Sequence, residues 1–132
     1  MSKPNQQIFF IDRSIGKHKV ADALRNAGEL VKVHDDRFPQ NTKDQDWLPT
    51  VAAEDRIILT ADQRILNRPL EIEAVRNSKA KLFVYSSKEM TGEAMSSGFL
   101  AAADKIKEIA MSRSNYLIVK VYKNGSIMEV NK

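Results

Sequence analysis

The sequence predicts one α/β domain, a three-layer α/β/α fold with a central, mainly parallel sheet and a C-terminal β-hairpin. Two observations predict this class. Short apolar runs alternate with stretches of helical periodicity, an order typical of parallel strands joined by crossover helices. At the end of the chain, "YLIVKVYKNGSIMEV" places two strand-like runs around Asn124-Gly125, a strong hairpin signal. With 132 residues, we expect a single domain over 1–132, with its core in 8–86 and a final helix and hairpin over 89–130.

The first two strands flank a helix. Ile8 to Ile11 is a continuous apolar run, as expected of a strand that is buried on both faces. The stretch "LVKVH" predicts the second strand. Between them, "GKHKVADALRNAG" predicts a helix whose apolar face is formed by Val20, Leu24 and Ala27.

A second helix and a third strand follow a polar loop over 35–43. Thr42 and Gln45 match a capping box, which predicts the start of the helix. Its apolar side chains are Trp47, Leu48, Val51 and Ala52. The run "RIILT", 56–60, predicts the third strand.

The second half of the chain predicts two more helices and the remaining strands. Pro69 is expected near the first turn of one helix, and "KLFVYSS" predicts the fourth strand. Between Glu89 and Arg113, apolar residues recur at helical spacing, and Gly98 predicts a weak point or break in that helix.

Composition narrows the class of protein. The chain carries 21 basic and 17 acidic residues, and the surplus lies in 67–132, with eleven bases and seven acids, which permits binding to a polyanion. It has no cysteine, which excludes disulfides, thiolate metal sites and a cysteine nucleophile. No apolar run is long enough to span a membrane, and "MSKPNQQ" is a short polar lead rather than a signal peptide. We therefore expect a cytoplasmic protein without membrane contact.

Acidic residues follow two of the predicted core strands. Asp12 ends the first strand and Asp62 follows the third, and ligands of open α/β sheets bind beyond such strand ends. Asp44 and Asp46, in the first turn of the second helix, are expected near the same edge. Carboxylates gathered there repel one another unless a cation joins them, and oxygen ligands favour Mg²⁺ or Mn²⁺. Each acid also has a structural explanation, as a helix cap, a dipole partner or a turn anchor.

Four short motifs occur in order along residues 8 to 86. They are "FFIDRS", the acid pair Asp35 and Asp36, "TKDQDWLP" and "IILTADQRI". Together they resemble the PIN-like domains, in particular the branch with VapC-type toxins of toxin–antitoxin pairs. The resemblance implies a small α/β/α nuclease, a Mg²⁺- or Mn²⁺-dependent ribonuclease that hydrolyses RNA phosphodiester bonds. It also implies an antitoxin, a partner protein that covers the acidic cleft.

The resemblance also assigns roles by position. Asp12, Asp44 and Asp62 are expected to be the metal ligands, with Asp46 as the alternate for Asp44. Thr60 matches a hydroxyl residue that often precedes the last acid and orients it.

Arg64 departs from the family pattern. Many PIN-like domains have another acid at this position, so the arginine puts a second metal ion in doubt. A single ion is still expected to lower the pKa of water and to neutralise the scissile phosphate. Arg13, Arg37 and Arg64 are near the acids in sequence and are candidates for stabilising phosphate charge.

Two other functional classes remain open from the sequence. A PIN-like fold without catalysis would be an RNA- or protein-binding module, and Arg64 keeps this alternative open. A receiver-like signalling domain would use Asp62 as its phosphoacceptor. Against it, Asp12 is followed by Arg13 rather than by a second acid, and no late strand ends in the required lysine. The late helix either covers the domain or mediates assembly, for example of a homodimer.

Four further residues have both a structural and a functional interpretation. His34 is expected to be a structural histidine, with a ligand or a base as the alternative. Trp47 is expected to pack in the core rather than to stack on a base. Lys17 and Lys19 are expected on a charged helix face, with contact to a nucleic-acid backbone as the alternative.

Overall fold

The computed structural model describes residues 7–16 and 18–132. In that part of the chain the strands are β1 (Ile8–Ile11), β2 (Leu30–Val33), β3 (Ile57–Thr60), β4 (Lys81–Tyr85), β5 (Leu117–Val121) and β6 (Ile127–Glu129). The α-helices are α1 (Lys19–Asn26), α2 (Asp44–Ala53), α3 (Pro69–Ser78) and α4 (Gly92–Met111). Short 3₁₀ turns follow the first three strands, at Arg13–Ile15, His34–Asp36 and Gln63–Asn67. The expectations for Lys17 and for the polar lead before Gln7 lie outside the described residues.

The strands form one sheet with the order β2-β1-β3-β4-β5-β6. Strands β1 to β5 pair in parallel, and β6 returns antiparallel to β5. The hairpin turns at Gly125, whose φ of 87° lies in the left-handed region that glycine adopts without strain. The predicted α/β class, the parallel sheet and the C-terminal hairpin are confirmed.

Helices cover both faces of this sheet. Helices α1 and α4 pack together on one face, and α2 and α3 pack together on the other. Residues of β1 alternate between the two cores, since Phe9 and Ile11 join the α1/α4 side and Phe10 joins the α2/α3 side. All three side chains are fully buried. Burial on both faces explains why the strand is apolar without interruption.

The predicted capping box at the start of α2 is wrong. The helix begins at Asp44, so the N-cap residue is Lys43, and no side chain caps it. Thr42 lies one residue too early to fill that position. Trp47, Leu48 and Val51 are buried on this helix, as predicted.

Two other helix details differ from the prediction. Helix α4 runs through Gly98 without a break. A Cβ at this position would lie 2.7 Å from the backbone oxygen of Tyr122, so the glycine permits close contact between the helix and the hairpin. Ala27 lies just beyond α1 and is exposed, whereas Val20 and Leu24 are buried.

No helix within residues 7–16 and 18–132 is both long and apolar enough to cross a membrane.

Candidate functional site

The topology places a switch point between β1 and β3. The chain moves from β1 to β2 on one side, and then returns to pair β3 on the other side of β1. Connecting segments diverge at such a point and leave a crevice beyond the carboxyl ends of the strands. Asp12 follows β1 directly, and its backbone N–H still donates to the Leu59 oxygen of β3 at 2.9 Å. Asp12 and the residues after Thr60 therefore meet at this edge.

Hydroxyl groups hold the Asp12 carboxylate in place. Asp12 is only 5% exposed, and its Oδ2 accepts hydrogen bonds from Thr60 Oγ1 at 2.8 Å and from Ser14 Oγ at 2.7 Å. Ser14 Oγ also accepts from the Ala61 N–H at 2.9 Å. The two strand ends are thus joined through one carboxylate, which fixes the orientation of Asp12 at the base of the crevice.

Asp62 is bound by two arginines. Its Oδ1 accepts from the backbone N–H and the Nε of Arg64, at 3.1 and 3.0 Å. Its Oδ2 accepts from a terminal guanidinium nitrogen of Arg68 at 3.1 Å. The backbone N–H of Asp62 donates to Thr60 Oγ1 at 3.1 Å. The Thr60 hydroxyl therefore contacts the backbone of Asp62, whereas the carboxylate that it contacts is that of Asp12.

Asp44 projects from the first turn of α2, where its Oδ1 accepts from Trp47 Nε1 at 3.1 Å. The pKa of this carboxyl is raised to about 6, first by burial and second by the negative charge of Asp12. The Trp47 hydrogen bond acts in the opposite direction, and the charges of Asp62 and Glu71 add smaller increases. These effects show that the carboxylates share one electrostatic environment.

These groups line a single cleft of about 720 Å³. Among the described residues, its carboxylates are Asp12, Asp44, Asp62 and Glu71. Its cations are Arg13, Lys43, Arg64 and Arg68. The cleft therefore presents both signs of charge to whatever enters it.

His34 also lies in the wall of this cleft and is fully buried. Its Nδ1 is 3.0 Å from Asp35 Oδ1, and because a carboxylate only accepts, this nitrogen carries a hydrogen. Within the described part of the chain, no group forms a hydrogen bond with Nε2. The rings of Phe38 and Trp47 pack against the imidazole, with centroids 5.5 and 5.6 Å away. His34 is thus part of the aromatic core and also one of the residues that line the cleft.

The structure brings together most of the sequence-predicted site residues. Asp12, Arg13, Asp44, Asp62 and Arg64 all line the cleft. Thr60 lies beneath them through its bond to Asp12.

Asp46 and Arg37 lie elsewhere. Asp46 is on the outer side of α2, in a groove with Pro49 and Leu70. Arg37 forms a two-bond ion pair with Glu54 and is not among the residues that line the cleft. Of the two acids in the first turn of α2, Asp44 is therefore the one in the cleft.

Sequence reasoning missed several residues of the site, among them Lys43, which directly precedes Asp44 and lines the cleft. Ser14 stands two residues after Asp12, a spacing that lets a short hydroxyl side chain reach back to the carboxylate. Arg68 and Glu71 flank the start of α3, and Arg68 Nη1 lies 3.8 Å from Glu71 Oε2. The acid in the first turn of α3 was a signal comparable to that of Asp44, because both helices begin at the same edge of the sheet.

The carboxylates of the cleft are of the chemical type that binds a hard divalent cation, but their side chains do not converge on one point. Asp12, Asp44, Asp62 and Glu71 offer the oxygen donors that Mg²⁺ and Mn²⁺ prefer. Among residues 7–16 and 18–132, however, no three His, Asp or Glu side chains are grouped closely enough to hold a metal ion. Both oxygens of Asp62 instead accept hydrogen bonds from Arg64 and Arg68.

The fold and the cleft define an α/β protein with a cleft at its topological switch point that is lined by charged side chains of both signs. Residues 8–87 match the family model described as "PIN like domain", which is more than half of the chain. The chain belongs to the PIN-like domain family, whose members are commonly nucleases. No curated protein and no solved structure matches the chain. The PIN-like resemblance is confirmed, the receiver-like alternative gains no support, and the VapC-type branch stays a prediction.

Proposed function

We propose that this protein is a metal-dependent endoribonuclease that uses Mg²⁺ or Mn²⁺, and that it is the toxin of a toxin–antitoxin pair. The observation that carries the proposal is the position of Asp12, Asp44 and Asp62. They come from three separate segments, yet they line one cleft at the switch point of a PIN-like sheet.

Asp12, Asp44 and Asp62 are the proposed metal ligands, and Glu71 extends this set. When bound, a divalent cation lowers the pKa of a coordinated water and neutralises charge on the scissile phosphate. Thr60 acts as a positioning residue, because its hydroxyl fixes the Asp12 carboxylate.

Cationic side chains at the cleft have the complementary role. Arg13 and Lys43 line it beside the carboxylates, and the side chain of Arg13 is 49% exposed. Guanidinium and ammonium groups hold phosphate by charge-assisted hydrogen bonds. We propose that they bind the RNA backbone on either side of the cleaved bond.

An antitoxin is the proposed protein partner, and the rim of the cleft is its proposed site. Met90 lines the cleft with 44% of its surface exposed, which provides an apolar contact beside the charged groups. A partner that covers this rim would exclude RNA. Expression of the wild-type chain alone is then expected to arrest bacterial growth, whereas expression of Asp12→Asn is not.

A second candidate function is a PIN-like module that binds RNA without cleaving it. The ion pairs of Asp62 with Arg64 and Arg68 favour this candidate, because they neutralise an acid that catalysis needs. The two candidates differ in whether a divalent cation supports cleavage.

The decisive experiment is incubation of the purified protein with a mixed pool of single-stranded RNA and either Mn²⁺ or Mg²⁺. Cleavage is expected with the metal, and it should be lost with EDTA and in Asp12→Asn and Asp44→Asn. Asp46→Asn is the matched control, because it removes a carboxylate from the same helix outside the cleft. It should retain wild-type cleavage.

Two results would change the conclusion. Cleavage that persists in EDTA and in Asp12→Asn would come from a contaminant or from another site. RNA binding without cleavage by folded protein, under either metal, would identify the binding module instead.

A further inference from the structure

Both oxygens of Asp62 are engaged with arginine side chains. Arg64 holds Oδ1 through Nε at 3.0 Å and through its backbone N–H at 3.1 Å, and Arg68 holds Oδ2 at 3.1 Å. A carboxylate in this state neutralises guanidinium charge and has little capacity left for a cation. The acid that follows β3 is therefore paired with the side chains of Arg64 and Arg68, called here the arginine pair.

The ion pairs that Arg64 and Arg68 form with Asp62 are accessible to water. The side chain of Arg64 is 78% exposed and that of Arg68 is 36% exposed, so water can replace Asp62 as their hydrogen-bond partner. The exposed pair with Arg64 contributes little to stability, and the pair with Arg68 is partly exposed. Both guanidiniums line the cleft, so they can turn from Asp62 to a ligand without unfolding any element.

The charges of the cleft disfavour binding of a divalent cation without a phosphodiester, and of a phosphodiester without a cation. A divalent cation alone would compete with two guanidiniums for Asp62. A phosphodiester alone would take the guanidiniums from Asp62 and leave that carboxylate uncompensated, beside Asp12 and Asp44. When both ligands are present, the phosphate pairs with the arginines and the cation pairs with the carboxylates. Every charge then has a partner of opposite sign.

The cleft wall carries an independent sign of a ligand. His34 is fully buried in that wall, and its Nε2 has no hydrogen-bond partner among the described residues. A buried nitrogen without a partner is unfavourable, so a ligand that brings a hydrogen-bonding group to this wall of the cleft is favoured.

We infer that Arg64 and Arg68 form a phosphodiester-binding pair whose resting partner is Asp62, so that binding of RNA releases Asp62 to the metal ion. This inference rests on the proposed function and deepens it by adding Arg64 and Arg68 to the RNA-binding residues. It makes metal affinity and RNA affinity dependent on each other. By linkage, RNA raises the affinity for the cation by the same factor by which the cation raises the affinity for RNA.

The test measures binding alone. The probes are Mn²⁺, whose free concentration is read by electron paramagnetic resonance, and a fluorescent, mixed-sequence 2′-O-methyl phosphorothioate oligonucleotide that resists hydrolysis, read by anisotropy. In the wild type, the oligonucleotide is expected to tighten Mn²⁺ binding about 10-fold, and Mn²⁺ should tighten oligonucleotide binding by the same factor.

The variant that separates the two roles is the double substitution Arg64→Gln and Arg68→Gln. It removes the competitors for Asp62, so Mn²⁺ alone should bind several-fold more tightly than to the wild type. The oligonucleotide should bind about 10-fold more weakly, and the coupling factor should fall to about 1. Arg113→Gln is the matched control, because Arg113 forms a similar two-bond pair with Glu129 and does not line the cleft. It should behave as the wild type does.

A coupling factor of about 1 in the wild type would overturn the inference. So would a double variant that binds Mn²⁺ no more tightly than the wild type while its urea unfolding midpoint is unchanged. Absence of RNA cleavage would remove the proposed nuclease function but would leave this binding test intact. Cleavage with a coupling factor of about 1 would keep the nuclease and reject the exchange of partners.

Discussion

The Thr60 hydroxyl at the end of β3 donates a hydrogen bond to Asp12 Oδ2 at the end of β1, with an oxygen–oxygen distance of 2.8 Å. This bond links the two central strands at the point where the sheet changes direction. Thr60 is 1% exposed and Asp12 is 5% exposed, so neither group can replace the other with bulk water. Loss of a hydrogen-bond donor to a buried carboxylate is therefore expected to lower the free energy of unfolding.

Thr60→Val tests that bond with little change in side-chain volume. We expect the free energy of unfolding to fall by about 1–3 kcal/mol, because Asp12 loses a buried donor. Activity should fall by about 10- to 100-fold, as is typical when a group that orients a ligand is removed. Urea denaturation and RNA cleavage measure the two effects. Thr60→Ser, which keeps the hydroxyl, should retain most of both, and an equal loss in both variants would refute the role of the hydrogen bond.

Asp44 makes stability depend on pH. Its pKa is about 6 in the folded protein against a reference value of 3.8, so between these values the folded state binds more protons than the unfolded chain. The contribution of Asp44 is therefore present at low pH and is lost as pH rises through about 6. Because the side chain is partly exposed, we expect a change on the order of 1 kcal/mol after solvent screening.

Asp44→Asn removes this titration and is expected to be more stable than the wild type at pH 7, by on the order of 1 kcal/mol. Urea denaturation across pH 4 to 7 measures the difference between variant and wild type, which cancels the contributions of other groups. Asp46→Asn removes a carboxylate from the same helix outside the cleft and serves as the control. A pH-independent difference for Asp44→Asn would contradict the prediction.

Trp47→Phe tests the hydrogen bond that opposes this shift. The indole Nε1–H donates to Asp44 Oδ1 at 3.1 Å and lowers the pKa of that carboxyl. Phenylalanine keeps an aromatic ring in the core but loses the donor, so the Asp44 pKa should rise further. Nuclear magnetic resonance titration of the Asp44 carboxyl carbon measures it. A pKa that falls or stays constant would show that the bond does not stabilise the ionised form.

Gly98→Ala tests the contact between α4 and the hairpin. The added Cβ would lie 2.7 Å from the backbone oxygen of Tyr122, and backbone yields less readily than a side chain. Alanine favours a helix over glycine, yet we expect a net loss of about 1–3 kcal/mol in the free energy of unfolding, because overpacking dominates. Gly92→Ala is the control, since the atoms nearest to its Cβ would belong to the side chain of Lys19 rather than to backbone. A Gly98→Ala protein as stable as this control would refute the close contact.

The fold was predictable because most of its determinants are local. The apolar run Ile8 to Ile11 indicates a strand buried on both faces, and the side chains of β1 do pack into the cores on both sides of the sheet. The Asn124-Gly125 turn likewise indicates a hairpin without any knowledge of distant residues. The failure at Gly98 has the opposite origin, because the residue that explains the glycine, Tyr122, lies on another element.

The site was predictable only as far as strand ends and helix starts. The position of Asp12 after an apolar run was enough to place it at the edge of the sheet. Whether Asp44 or Asp46 faced the cleft depended on where α2 begins, which its sequence did not define. The pairing of Asp62 with Arg68 was not predictable, because it depends on how the turn after β3 leads into α3.

Helix α4 and strand β5 follow the residues of the cleft in the sequence. The segment from β1 to β4 carries the acids that line the cleft. One face of its strands packs against α4, which begins at Gly92. In addition, β4 pairs with β5, which begins at Leu117. A nascent chain that has left the ribosome only as far as β4 has an open apolar face and cannot hold its strand ends in place. If the proposed nuclease function holds, no competent enzyme exists on a ribosome before α4 and β5 have been translated.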